Sequence, residues 1–300
     1  MTSYGQRVFF IICNYNGERN GALSRSLDRL SEAKTPDTVV SVFDNGSTDG
    51  SVDVLLRHFG HGSDTSGHGN GVGNTIDSLF LSGGNNGKSR AMNALAENAR
   101  IAQGMTEMDV LVSMDSDIVI MNPDFIRDIG RMFRAEPRLG FMGFEYYEDE
   151  GLAKVSSYNR LERGVNLSDG TIAAFGREYR EMCDFAGRLA GGILAMRAGM
   201  FLSVGGYPTK TPLGRDLPIY GGDDCLIEHA LWRRYGGKCL FLFDDRPQIF
   251  HPKEADAGYQ AWKDRTLSDL GRVMSFESAD GTGNNAEFQK VGYFDQKKDR

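Results

Sequence analysis

Along the first half of the chain, short runs of branched and aromatic residues alternate with longer stretches whose apolar residues recur at helical spacing, the pattern of strands feeding helices in βαβ units. It predicts strands near 7–13, 38–44, 76–82, 109–114, 139–145, 189–197 and 238–243, and helices near 22–33, 50–59, 88–103, 123–135, 198–204, 222–235 and 258–274. Successive strands joined by such crossovers run parallel and leave their ligand-binding loops at their carboxyl ends. Residues 60–75 are almost all Gly, Ser, Asn, Asp and His. They hold too little apolar area to offset the entropy of ordering and read as a mobile surface loop. Residues 146–188 are polar with embedded aromatics and follow no clean period, and 275–300 read as a loosely packed tail.

Composition narrows the classes. With 300 residues, 40% hydrophobic and 25% charged, the chain can bury one large core or two modest ones, and disorder, collagen and coiled coil are out. The longest apolar run, Val8 to Cys13, is far short of the roughly 20 residues a membrane helix needs, so no membrane crossing or signal peptide is expected. Cys13, Cys183, Cys225 and Cys239 are scattered without a CxxC pair, which suits reduced core thiols and a cytoplasmic location. The formal net charge of −7 makes nucleic acid a poor default partner.

Candidate chemistry follows predicted strands. In VLVSMDSDIVIMNP (110–123) an apolar strand runs into Asp115 and Asp117, and strand alternation projects both the same way. Two such carboxylates repel unless a cation lies between them, and oxygen ligands on a turn suit Mg²⁺ or Mn²⁺. The bland alternative is a helix cap beside a solvated strand end. VFDNGSTDGS (42–51) is a second strand ending in an acid, Asp44, with Asp49 or Ser51 placed to cap the next helix. It is not an EF-hand, because a loop starting at Asp44 puts Gly46 at position 3 and Asp49 at position 6. LSGGNNGKSRAMNAL (81–95) sets a glycine-rich turn before a helix, where backbone N–H groups can hold phosphate. Gly87, Lys88 and Ser89 fit a P-loop, but Ser82 stands where its first glycine belongs. YGGDDCLIEHALWRRYGGKC (220–239) opens a helix with Asp223 and Asp224, as caps favoured by the helix dipole or as a general base. His58, His61 and His68 read as surface residues, His229 as packing or capping, and His251 is ambiguous alone.

The order of these pieces, with IICNYNG at 11–17, GGILAMR at 191–197 and VGGYP at 204–208, resembles the GT-A glycosyltransferases, most closely those of family 2. The resemblance covers about residues 7–252. It implies an α/β, Rossmann-like GT-A fold: a mixed, mostly parallel twisted sheet flanked by helices. Residues 1–252 would form the transferase domain, about 1–120 binding nucleotide and about 121–252 carrying acceptor and catalytic residues, with 253–300 a helical extension and tail. It further implies that Tyr15 and Asp44 hold the nucleotide base, and that Asn85, Gly87, Lys88 and Arg90 lie near ribose and diphosphate. Asp117 and His251 would bind the metal, Mn²⁺ or Mg²⁺, with Asp115 near the metal, ribose or donor sugar. Asp224 becomes the candidate base, and Asp223 replaces the usual Glu with a shorter side chain. The co-substrate implied is a nucleotide-diphosphate sugar, a UDP-sugar by preference, and the acceptor a glycan, protein or small molecule. Tyr146, Tyr147, Tyr158, Phe175, Tyr179 and Phe185 are either acceptor contacts or core filling.

The expected reaction is therefore a metal-dependent, inverting sugar transfer. Three rivals stay open at this point: a retaining GT-A enzyme in which Asp224 is no base, a P-loop phosphotransferase centred on Lys88, and a sugar-nucleotide binder without turnover.

Overall fold

The computed structural model describes residues 6–60, 74–156, 165–174, 177–185, 191–210, 216, 223–236, 238–252, 261 and 265; residues 165–174, 177–185, 223–225 and 229 are described by backbone alone. The strands are β1 (Val8–Asn14), β2 (Thr38–Asp44), β3 (Ser78–Leu81), β4 (Val110–Asp115), β5 (Val119–Ile120), β6 (Leu139–Phe144), β7 (Val165–Ala174), β8 (Arg177–Phe185), β9 (Ile193–Arg197), β10 (Leu240–Asp244) and β11 (Ile249–Phe250). Helices are α1 (Ala22–Ala33), α2 (Ser51–Gly60), α3 (Lys88–Ile101), α4 (Phe125–Ala135), α5 (Ala198–Ser203) and α6 (Asp223–Tyr235).

Nine strands form one sheet in the order β3-β2-β1-β4-β9-β6-β10-β8-β7. The first four are mutually parallel. β9 enters antiparallel between β4 and β6, so the sheet is mixed. β1 shows why the apolar run is continuous: Val8, Phe10 and Ile12 join one buried cluster and Phe9 and Ile11 the other, because a strand covered on both faces has no solvent side. Helices α1, α2 and α4 pack on the first face through Leu23, Leu27, Val54, Ile126 and Phe133. Helices α3, α5 and α6 cover the second through Met92, Leu95, Phe201, Ile227 and Leu231.

Two predicted features need correction. The region read as lacking a period contains the β7–β8 hairpin, antiparallel to β10; its register shifts between Asn166 and Leu167 and again before Thr171, and such irregularities erase the two-residue alternation. His58 is half-buried rather than a surface residue, its Nδ1 lying 3.1 Å from Thr75 Oγ1. The loop at 61–73, with His61 and His68, lies outside the described residues, as do the expected helix at 258–274 except residues 261 and 265, and the tail. Among the described residues no helix is long and apolar enough to cross a membrane, and Cys13 and Cys239 are free thiols.

The GGY motif turns out to be architectural. Gly206 (φ +77°) follows α5, and a Cβ there would collide with the Asn93 side chain. The close approach lets Tyr207 N–H donate to Asn93 Oδ1 and Asn93 Nδ2 to Tyr207 O, both at 2.8 Å. Tyr207 in turn reaches Ser113 Oγ at 2.6 Å, in a buried contact beneath the end of β4. This network ties α3, which carries Lys88, to the strand that carries Asp115.

Candidate active site

In this strand order the chain goes from β1 out to β2 and β3 on one side and then crosses back to β4 on the other side of β1, which opens a crevice at the carboxyl ends of β1 and β4. The β1–α1 and β2–α2 turns that border it are laced together. Asp44 is only 1% exposed. Its Oδ2 accepts from Asn14 Nδ2 (2.8 Å) and Ser47 Oγ (2.6 Å), and its Oδ1 from the N–H groups of Ser47 (2.9 Å) and Gly46 (3.2 Å). Asn16 N–H donates to Ser47 Oγ at 2.8 Å and Thr48 N–H to Asn16 Oδ1 at 2.7 Å. Asp49 accepts from Ser51 N–H (2.9 Å) at the start of α2, the expected cap, and from Glu18 N–H (3.0 Å). Asp44 thus spends its lone pairs on the turn. Tyr15 is half-buried on the same β1 exit.

The next residue, Asn45, reaches across to the glycine-rich turn. Its Nδ2 donates to Asn85 Oδ1 (2.9 Å) and its Oδ1 accepts from Asn86 N–H (2.8 Å). Asn85 Oδ1 also accepts from Gly87 N–H at 3.0 Å, and Gly87 (φ +88°) then starts α3. The two turns nearly touch: a Cβ on Gly46 (φ +82°) would stand 2.6 Å from Gly84 Cα. Gly46→Ala is therefore expected to combine left-handed backbone strain with a backbone clash, destabilising by about 2–4 kcal/mol. Urea unfolding checks this as a lowered midpoint at unchanged slope.

At the end of β4 the two acids part. The strand stops at Asp115, and a turn closed by Ile118 N–H to Asp115 O (3.2 Å) carries Asp117, so strand alternation does not govern their directions as predicted. Each acid has its own partner. Lys88 Nζ lies 2.7 Å from Asp115 Oδ1, and His251 Nε2 lies 3.2 Å from Asp117 Oδ2. His251 reaches Asp117 through the small antiparallel pair of β5 and β11, where Phe250 faces Val119, and its N–H donates to Tyr147 O at 2.9 Å.

Of the two readings open for Tyr146, acceptor contact or core filling, the structure fits the second: it is buried between these groups. Its hydroxyl accepts from Ile193 N–H at 2.6 Å, and its ring meets the His251 ring edge-on at 5.8 Å. Burial above all holds its phenol pKa well above the ordinary value; the Ile193 N–H opposes this, the Asp115 charge adds to it, Lys88 opposes and Glu228 adds. Those influences place Glu228, which sequence reasoning missed, in the same neighbourhood. It is 2% exposed on α6, four residues after Asp224, and an acid between the buried Ile227 and Leu231 was the signal available. Tyr147 is also buried, and burial with the Glu145 carboxylate raises its phenol pKa. Tyr158 and Phe175 lie outside the described residues, and the side chains of Tyr179 and Phe185 are not described.

Asp223 and Asp224 begin α6; their backbone is described and their side chains are not. Arg90 is not drawn into the crevice: it is exposed, 3.0 Å from the exposed Asp216. Among the described residues no group of three or more His, Cys, Asp or Glu forms a ready metal cage. The Asp117 carboxylate and His251 imidazole are nevertheless of the donor types that would suit a divalent ion, which would then need further ligands from outside the described residues or from substrate.

Comparison with known proteins matches this architecture. In solved structures, a mannosyltransferase from Pyrobaculum calidifontis in complex with GDP-Man and Mn²⁺ superposes with a TM-score of 0.55 at 18% identity, covering 93% of this chain and 66% of that one. S. aureus TarS 1–349 in complex with UDP-GlcNAc gives 0.55 at 13% identity over 88% of this chain and 65% of that one. This chain thus spans just under two thirds of each, and these likenesses place it in the GT-A fold. No curated protein matches the sequence. The pattern of glycosyl transferase family 2, however, matches residues 9–192, more than half of the chain and the whole run from β1 through the Asp115–Asp117 turn. The chain belongs to glycosyl transferase family 2.

Proposed function

We propose that this protein transfers a sugar from a nucleotide-diphosphate sugar to an acceptor hydroxyl, with a divalent metal and with inversion at the anomeric carbon. The observation that carries the reading is the meeting of Asp117 and His251, 134 positions apart in sequence, at 3.2 Å, beside the Lys88–Asp115 pair at the carboxyl ends of parallel strands. Asp117 and His251 hold the ion, with Asp115 next to them. A bound divalent ion offsets charge on a departing diphosphate. Lys88 adds positive charge on the same side, and Asn85 and Gly87 shape the turn that offers backbone N–H groups to phosphate. Tyr15 flanks the nucleotide base, while Asp44 acts indirectly by fixing the turn that borders it. Arg90 is left at the rim.

Asp224, in the first turn of α6, takes the proton of the acceptor hydroxyl as that oxygen attacks from the face opposite the diphosphate. Asp223 sits beside it, where the helix dipole favours carboxylates. The nucleotide half is about 1–120 and the acceptor half about 121–252. Acceptors of the glycan, protein or small-molecule class, a UDP-sugar donor and a cytoplasmic location complete the reading.

A thermal-shift panel tests it. UDP- and GDP-sugars are each measured with and without Mn²⁺, and at a hundred times its Kd a donor should stabilise by about 2.7 kcal/mol. A melting temperature indifferent to every nucleotide sugar in the presence of Mn²⁺ would overturn the proposal.

A further inference from the structure

We propose a second ligand site at the opposite end of the sheet, built to bind a small organic phosphate. A surface cavity of about 490 Å³ lies there. Gln6 and Arg7, which enter β1, and Asp109, which enters β4, form one side; Phe133 and Arg134 from the last turn of α4 and Arg197 at the end of β9 form the other. Asn14 and Asp115 end the same strands, β1 and β4, at the far side. At about 3.3 Å per residue, a six- or seven-residue strand separates the two places by roughly 20 Å.

Arg197 is the centre of the argument. It is 8% exposed. Its Nη2 donates to Phe133 O (2.9 Å) and Glu136 O (3.0 Å) at the end of α4, and its guanidinium lies over the Phe133 ring, 5.5 Å from the centroid. Nε and Nη1 are buried with no acceptor among the described residues. Burial lowers the guanidinium pKa, yet arginine stays charged at any accessible pH. A buried cation with unanswered donors is a high-energy arrangement that a bound oxyanion relieves.

The surrounding charge selects the class of ligand. Arg7 is answered by Asp109, 3.6 Å away, whereas the exposed Arg134 has no carboxylate partner among the described residues. Among the lining residues three arginines face one aspartate, an excess of two positive charges in a chain of net charge −7; the Glu136 carboxylate, which also acts on Arg197, is answered by Arg138 at 3.0 Å. A phosphate monoester dianion matches that excess, and guanidinium groups match its oxygens in pairs. The remaining lining distinguishes an ester from free phosphate: Phe133, Met108 and Pro137 offer apolar wall.

Calorimetric titration with phenyl phosphate tests the assignment, with inorganic phosphate and phenol as comparison arms at fixed ionic strength. Saturable one-to-one binding of phenyl phosphate is expected, with inorganic phosphate weaker and phenol silent. Arg134→Ala and Arg197→Lys should each weaken binding about tenfold, the loss of one charge-assisted contact. Asp117→Asn, at the donor crevice, should leave it unchanged, so this result stands or falls separately from the transferase reading. Arg134 is exposed, and its variant keeps the test valid should Arg197→Lys fold poorly. The proposal is overturned by absent saturation, by equal binding of inorganic phosphate, by indifference to the arginine variants, or by loss of binding in Asp117→Asn.

Discussion

Asp117→Asn is expected to lower kcat by about 10²–10³-fold, the loss seen when one preorganised charge-stabilising group is removed from an active site. The substitution keeps the shape of the side chain and removes its charge. His251 stays in place, because β5–β11 pairing and the Tyr147 carbonyl hold it independently of the carboxylate. The partly exposed position makes a large folding defect unexpected. What should disappear is the metal's contribution to donor binding, so the Mn²⁺-dependent part of the thermal shift falls with kcat. Full activity in Asp117→Asn, at unchanged melting temperature, would remove the acid from the metal site.

Asp224→Asn should lower kcat by about 10²–10⁴-fold while leaving the donor's KM nearly unchanged, the pattern expected when a general base is lost but ground-state binding is not. The split between kcat and KM matters because a helix-capping role predicts something else: asparagine caps as well as aspartate, and kcat would stay put. NMR assignment of the product's anomeric configuration in the unmodified enzyme adds the stereochemical arm. An inverted product together with the kcat loss supports Asp224 as base. A retained product with Asp224→Asn activity intact favours the retaining rival instead.

The sequence by itself determined most of the alternating strand and helix order. β1, β2 and β4 and helices α1, α3, α4 and α6 lie within a few residues of their predicted bounds, because their apolar residues repeat at the period of the element, and periodicity is a local property that the chain carries without its fold. It also placed the candidate site residues other than His251 near a strand's carboxyl end or a helix start; the short strand β11 that leads into His251 was not predicted. It did not expose the β7–β8 hairpin, whose register shifts blur the alternation, nor Glu228, an acid whose burial depends on what α6 packs against.

Only the tertiary structure decided which acid meets which partner. Asp115 and Asp117 are two residues apart, yet one answers to Lys88 from α3 and the other to His251 from β11; those partners reach them through sheet order and a two-stranded pairing that no local pattern encodes. The same holds for Asp44, whose carboxylate is taken up by a neighbouring turn, and for Tyr146, for which the sequence left acceptor contact and core filling open and the fold chose the space between Ile193 and His251. Burial and charge pairing arise from elements distant in sequence meeting at one end of the sheet, and that meeting is a property of the fold as a whole.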